Sequence, residues 1–233
     1  EHECYGMGCY WITTNEVCQD WSGLPFLNRF YLRLQDLVTD KLILYSTSVE
    51  NLPWDRDDWE ASLMAHHEQL YPSMRRGLAR GDVYGAHQYN APNLQNPNAV
   101  DEKTGLQRDD MRIFRYEELV WPNLPDDLKR LPVVVSEWSW DFMLWPYYTK
   151  IGVHDHRAAT STNDAAKQIE DFFYEWDYRY RDTVPVVGWL AYCTGDSGGW
   201  SGYRWDTTSN NLQRPLWDEI IEQQIGYWQT EPV

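Results

Sequence analysis

The sequence predicts an α/β protein built on parallel strands, and three observations carry that expectation. Short apolar runs alternate with stretches of helical periodicity along the chain. Several runs end in polar, reactive residues, as at Asn15-Glu16, His87-Gln88-Tyr89 and Glu137. No glycine-rich phosphate turn follows the first strand, which weighs against a doubly wound sheet and for a barrel, where chemistry gathers at the C-terminal strand ends.

The elements follow in order. Cys9–Thr14 (CYWITT) reads as a buried strand. Pro25–Thr39 places Phe26, Leu27, Phe30, Leu34, Leu37 and Val38 at helical spacing. Lys41–Ser46 (KLILYS) is the next strand. Asp57–Ala79 is a long amphipathic helix that Pro72 kinks or divides. Asp82–His87 (DVYGAH) is the third strand, and Asn90–Pro125, rich in Pro, Asn and Asp, is mostly loop. A short helix at Asp126–Arg130 leads into the strand Pro132–Ser136 (PVVVS). Ser161 and Asp164 form a capping pair that opens a helix running to about Arg181. Val184–Tyr192 is the fifth strand and Pro215–Trp228 a closing helix. No repeat or linker divides the chain, so residues 1–233 are expected to form a single domain.

Composition narrows the function. The 233 residues carry 20 Lys and Arg against 36 Asp and Glu, a formal net charge of −16. Such a surface repels phosphate backbones and anionic lipid, so neither nucleic acid nor membrane is an expected partner. No apolar run reaches the roughly 18–20 residues of a membrane span. The sequence starts at Glu1 rather than Met, with no basic or apolar stretch there, so a signal peptide, had there been one, is expected to have been removed. Fourteen tryptophans stand out, beside 16 Tyr and 6 Phe. Some fill the core, and a surplus suits the flat apolar faces of sugar rings. Cys4, Cys9, Cys18 and Cys193 lack the paired spacing of a zinc knuckle, and one local disulfide and free thiols stay equally open. No N-glycosylation sequon is present.

Two strands end in a glutamate, Glu16 after CYWITTN and Glu137 after PVVVS. A carboxylate at the end of an apolar strand carries a desolvation cost unless it has a partner or a task. Two of them facing each other across a barrel mouth supply what glycoside cleavage needs: one protonates the leaving oxygen while the other attacks the anomeric carbon.

These residues resemble clan-A glycoside hydrolases. Asn15-Glu16 looks like the Asn-Glu pair that closes that clan's fourth barrel strand, and Glu137 like the nucleophile closing its seventh. His87-Gln88-Tyr89 is similar to the His-x-Tyr segment after the sixth, and Trp189 in VVGWLAYC resembles the tryptophan on the eighth that floors the sugar site. The resemblance implies a (β/α)8 TIM barrel and a retaining glycosidase acting on a β-linked oligo- or polysaccharide. In it Glu16 is the acid/base, Glu137 the nucleophile, Asn15 a contact to the sugar 2-hydroxyl and Tyr89 a hydrogen-bond donor to the nucleophile. His87 and Trp138 join the substrate-binding set. No cofactor and no metal are implied, and an extracellular or secreted location is the accompanying expectation. The clan has eight βα units where this sequence shows about five, corresponding to strands four to eight, so another chain or segment is expected to complete the barrel. Val17 stands where the clan often has Pro.

Rival readings attach to other segments. A barrel that binds carbohydrate or plays a structural role without turnover would keep the aromatic platform but need not keep both glutamates. Gly195-Asp196-Ser197-Gly198-Gly199 matches the nucleophile segment of trypsin-like serine proteases, but the helical stretches do not suit their paired antiparallel barrels. His154 and His156 could offer two imidazoles to a metal, without an evident third ligand. His66 and His67 point about 100° apart on a helix and are expected at the surface.

Overall fold

The computed structural model describes residues 10–12, 23–48, 67–90, 114, 116–140, 142–144, 149–151, 154, 159–191, 204 and 206–228. Its strands are β1 (Tyr10–Ile12), β2 (Lys41–Ser48), β3 (Val83–Asn90), β4 (Val133–Trp140), β5 (Phe142–Leu144), β6 (Thr149–Ile151) and β7 (Val186–Ala191). Its α-helices are α1 (Leu24–Leu37), α2 (Tyr71–Arg80), α3 (Thr162–Tyr180) and α4 (Leu216–Trp228). Five strands form a curled, parallel half-barrel sheet in the order β1-β2-β3-β4-β7, with β1 and β7 at its edges. The class is therefore α/β with parallel strands. β5 and β6 pair separately as an antiparallel hairpin that the sequence reading lacks.

The chain forms two compact units: Glu1–Gln88 with Phe114–Glu137 and Tyr180–Leu190, and Tyr89–Ile113 with Trp138–Arg179 and Ala191–Val233. In the first unit, strand alternation sorts side chains between two faces of the sheet. Leu42, Leu44, Tyr84, Ala86 and Val133 join Leu27, Tyr31 and Met74 of the covering helices in the main core. Ile43, Val83 and Val134, one position out of phase, form a small separate cluster.

Helix α1 buries a face rotated from the expected stripe. Leu27, Tyr31 and Gln35 point inward, while Phe26 and Leu37 are exposed. The donors of the two polar-tipped residues are satisfied there: Tyr31 OH donates to the Ile43 carbonyl, and Gln35 Nε2 donates to Ser73 O and Asp82 Oδ2, while Gln35 Oε1 is buried without a hydrogen-bond partner among the described residues. Asp82 is fully buried where the chain enters β3. It accepts from Leu42 N at 3.1 Å, Gln35 Nε2 at 2.9 Å and Arg80 Nε at 3.2 Å. Arg80 also donates to the carbonyls of Gln35, Val38 and Asp40, which satisfies the end of α1. One carboxylate and one guanidinium thus tie α1, α2, β2 and β3 together. Gly81, with φ 79°, supplies the left-handed residue that ends α2.

Pro72 occupies the first turn of α2, directly after a 3-10 turn at Glu68–Leu70, where its missing N–H is tolerated; residues 57–66 of the expected long helix lie outside the described residues. Three sequence expectations need correction here. Asp126–Arg130 is a hydrogen-bonded turn rather than a helix, and part of the expected loop forms a π-helix at Tyr116–Val120 and a 3-10 turn at Trp121–Asn123. His67 is buried, not at the surface: it packs on Tyr71 and Tyr84, and its Nε2 lies 3.3 Å from Tyr84 OH. Burial lowers its pKa to about 4.

In the second unit Ser161 Oγ accepts from Asp164 N and caps α3, while Asp164 Oδ2 accepts from Thr160 N and Oγ1. Asn211 Nδ2 donates to Ala159 O at 2.7 Å and pins the approach to α4.

Candidate functional site

The site is built across three adjacent strands of the parallel sheet, from mid-strand toward their C-terminal ends. His87 lies on β3, Ser136 and Glu137 on the neighbouring β4, and Ser46 on β2 at the other side of β3. His87 is fully buried, with Nδ1 3.3 Å from Glu137 Oε2 and Nε2 2.9 Å from Ser46 Oγ. Ser46 Oγ is 3.0 Å from Ser136 Oγ, which lies 3.3 Å from the Ala86 carbonyl. The Glu137 side chain keeps 19% of its surface open to solvent while its buried neighbours fix it from behind. A partly open carboxylate backed by a buried imidazole can act as a nucleophile or exchange a proton with a ligand.

A defect in β2 sets up this arrangement. Leu44 pairs with Tyr84 and Thr47 with Ala86, so β2 spends one residue more than β3 over the same stretch. Tyr45 and Ser46 absorb the excess with φ of 73° and 46°, the left-handed region that non-glycine residues avoid. Tyr45 anchors the bulge: it is wedged between Tyr31 and Tyr84, and its hydroxyl reaches Leu70 O and Ser73 Oγ. Burial raises its pKa well above the usual tyrosine value, so it stays a neutral hydrogen-bonding group. Gly85 faces the bulge across β3. A Cβ there would stand 2.7 Å from Ile43 Cγ2 and 3.0 Å from Ser46 N. Glycine is required by this close approach.

The residues singled out from sequence are distributed as follows. His87 and Glu137 come together. Tyr89 continues β3, and Trp189 lies half-buried on the edge strand β7. Asn15 and Glu16 fall outside the described residues, as do the four cysteines, His156 and Ser197. Trp138 is corrected: it is 1% exposed and packs on Phe172 and Phe173, with ring centroids at 4.9 and 5.2 Å, so no face of its indole is offered to a ligand. His154 Nε2 contacts the Arg204 carbonyl. Among the described residues no group of three or more His, Cys, Asp or Glu is placed to hold a metal. No helix among them is long and apolar enough to cross a membrane.

Sequence reasoning missed Ser46, Ser136 and Glu117. Glu117 is buried in the π-helix and accepts from Gln88 Nε2 at 3.0 Å, on the strand position next to His87. One signal was available: a glycine inside an apolar strand, Gly85 in VYGAH, marks a bulge or a close backbone approach.

Serine, histidine and glutamate at these distances have the order of a hydrolytic triad. Ser46 is 1% exposed, however, and its Oγ sits against Ser136 Oγ, so a substrate carbonyl has no approach to it. The member of this group that reaches solvent is the Glu137 carboxylate. Comparison with protein-family models, curated proteins and solved structures returned no match, so the functional reading rests on this geometry.

Proposed function

We propose that the chain is a glycan-active protein on a parallel α/β barrel, and more particularly a retaining glycoside hydrolase with Glu137 as its nucleophile. The observation that carries the reading is the partly open Glu137 carboxylate within β4, held at 3.3 Å by a buried histidine on the adjacent strand. Glu16 is the acid/base in this reading, on the strength of its own strand-end position in the sequence. The five parallel strands correspond to strands four to eight of a (β/α)8 barrel. Exposed Trp11 and Ile12 on β1 and Val187 and Leu190 on β7 support further strands covering both edges. The substrate is a β-linked oligo- or polysaccharide, and Trp189 on β7 is the aromatic platform for one of its rings.

The experiment is turnover of dinitrophenyl β-glycosides, with strands that close the barrel supplied where needed. Glu137→Ala abolishes turnover of every substrate. Glu16→Ala forms the glycosyl-enzyme and then stalls, because the leaving group needs no acid but water needs a base. Azide restarts it and yields a glycosyl azide of retained configuration. An inverted azide product from Glu137→Ala, with Glu16→Ala behaving as wild type, would remove Glu16 from its role. Glycan binding without turnover by the completed barrel would favour the binding-protein reading, and a fluorophosphonate label on Ser197 the protease.

A further inference from the structure

We infer that Ser46 is a positioning residue for Glu137, acting through His87: its hydroxyl donates to Nε2, which holds the ring proton on Nδ1, facing the carboxylate. The role given to Glu137 rests on the reading above; the state of the ring can be observed without it.

The argument runs outward from the carboxylate. A nucleophilic Glu137 is ionised, so the ring atom 3.3 Å away must present a proton, which places N–H at Nδ1. In a neutral ring Nε2 is then an acceptor, and because His87 is fully buried that acceptor needs a donor. Ser46 Oγ stands 2.9 Å from it. With its own hydrogen given to Nε2, Ser46 Oγ accepts from Ser136, 3.0 Å away, only when Ser136 turns its single hydrogen from the Ala86 carbonyl, 3.3 Å off. With that turn, the donors of Ser136, Ser46 and His87 all point toward Glu137.

The backbone singles Ser46 out. Its φ of 46° is one that non-glycine residues rarely adopt. The bulge, the tyrosine that anchors it and the glycine opposite all serve to hold that residue in place. Strain held by so many contacts is characteristic of sites where a side chain must be aimed. A hydroxyl is the smallest group that can donate to a buried imidazole and accept from a neighbouring serine at once.

The strained backbone also provides a clean test. Glycine adopts this φ without penalty, so Ser46→Gly removes the hydroxyl and relieves the strain together. Ser46→Ala removes the hydroxyl and leaves the strain. The full chain, labelled with 15N-histidine, is read by long-range 1H–15N correlation near neutral pH, with His87 assigned through bonds to its backbone. The expected wild-type ring carries its proton on Nδ1 and leaves Nε2 bare. In Ser46→Gly, with a dispersed amide spectrum showing the fold intact, the share of ring protonated on Nε2 rises roughly tenfold, the loss of one oriented hydrogen bond. Ser46→Ala gives the same change, because the hydroxyl and not the strain is responsible. A wild-type ring protonated on Nε2, or ring signals that Ser46→Gly leaves unmoved, overturns the inference. Turnover is the second readout: kcat falls about tenfold with KM unchanged. An unchanged kcat in an active enzyme also overturns the positioning role. A protein that shows the expected ring state and cleaves no glycoside instead overturns the glycosidase reading and leaves the hydrogen-bonded chain standing.

Discussion

Asp82→Ala tests the account of how the sheet is held beneath the site. Asp82 is fully buried and accepts three hydrogen bonds. Alanine leaves Leu42 N without its acceptor at the start of β2. A buried donor orphaned in this way costs roughly 1–3 kcal/mol. Gln35 Nε2 loses one of two acceptors and keeps Ser73 O, so its share is smaller. Arg80 loses a charged partner but keeps three carbonyls and is partly open to solvent, which softens that loss. Together the expected destabilisation is about 3–5 kcal/mol, in the range measured when one partner of a buried ion pair is removed. Against a total stability of order 5–15 kcal/mol, that is a large fraction. Asp82→Asn keeps the shape and one acceptor oxygen but turns an amide toward a donor, so it falls between alanine and wild type. The assay is urea unfolding read by tryptophan fluorescence and far-UV circular dichroism, with coincident transitions licensing a two-state treatment. A loss below about 1 kcal/mol in Asp82→Ala would refute the claim that this carboxylate ties the four elements together.

Three further outcomes follow from the same packing. His67, with a folded-state pKa of about 4 against an ordinary 6.5, is neutral in the fold over a range where the unfolded chain binds a proton. Stability therefore rises with pH across that range, and about 3 kcal/mol is lost as pH falls from roughly 6.5 to 4. His67→Phe should lose visibly less stability on acidification, and equal losses would show that the buried ring is not responsible. Gly85→Ala drives a Cβ against Ile43 and the Ser46 backbone, costing about 1–3 kcal/mol and displacing Ser46 from His87; an unchanged urea midpoint with unchanged His87 ring signals would contradict the close approach. Trp138→Ala should cost about 3–5 kcal/mol in stability through lost packing on Phe172 and Phe173. Weakened glycan affinity with full stability would return Trp138 to the binding surface.

How far the sequence discloses this structure depends on which residues carry the signal. The apolar runs KLILYS, DVYGAH and PVVVS are strands because β-branched and aromatic residues in short bounded runs suit a sheet covered by helices, and each strand runs two to four residues past the end the pattern gives it. Helix α3 begins at its capping serine for a local reason that reads directly from the chain. The face of α1 was misjudged because Tyr31 and Gln35 become buriable only through partners 12 to 47 positions away. His67 was placed outside for the same reason, its contact being Tyr84, 17 positions on. At the candidate site, His87 and Glu137 were legible as residues of the right chemistry closing apolar runs, although their strands continue to Asn90 and Trp140. Ser46 was not, because a register shift between two strands is a property of their pairing and leaves only the glycine of the facing strand as a trace. Trp138 shows the converse limit: a tryptophan after a strand end fits a sugar platform and an aromatic core equally well, and only its packing decides.

The central claim is that Glu137 is a nucleophile, and covalent trapping tests it most directly. A β-glycosyl substrate carrying fluorine at C2 and a dinitrophenyl leaving group forms its glycosyl-enzyme and releases it slowly, because fluorine destabilises the oxocarbenium-like transition state of the second step. Intact-mass measurement of the barrel should show one added fluoroglycosyl group, with loss of dinitrophenolate in equal amount. Peptide mapping should place that group on the segment containing Glu137, and Glu137→Ala should show none. Cleavage with no adduct, or an adduct on a carboxylate other than Glu137, would contradict the account.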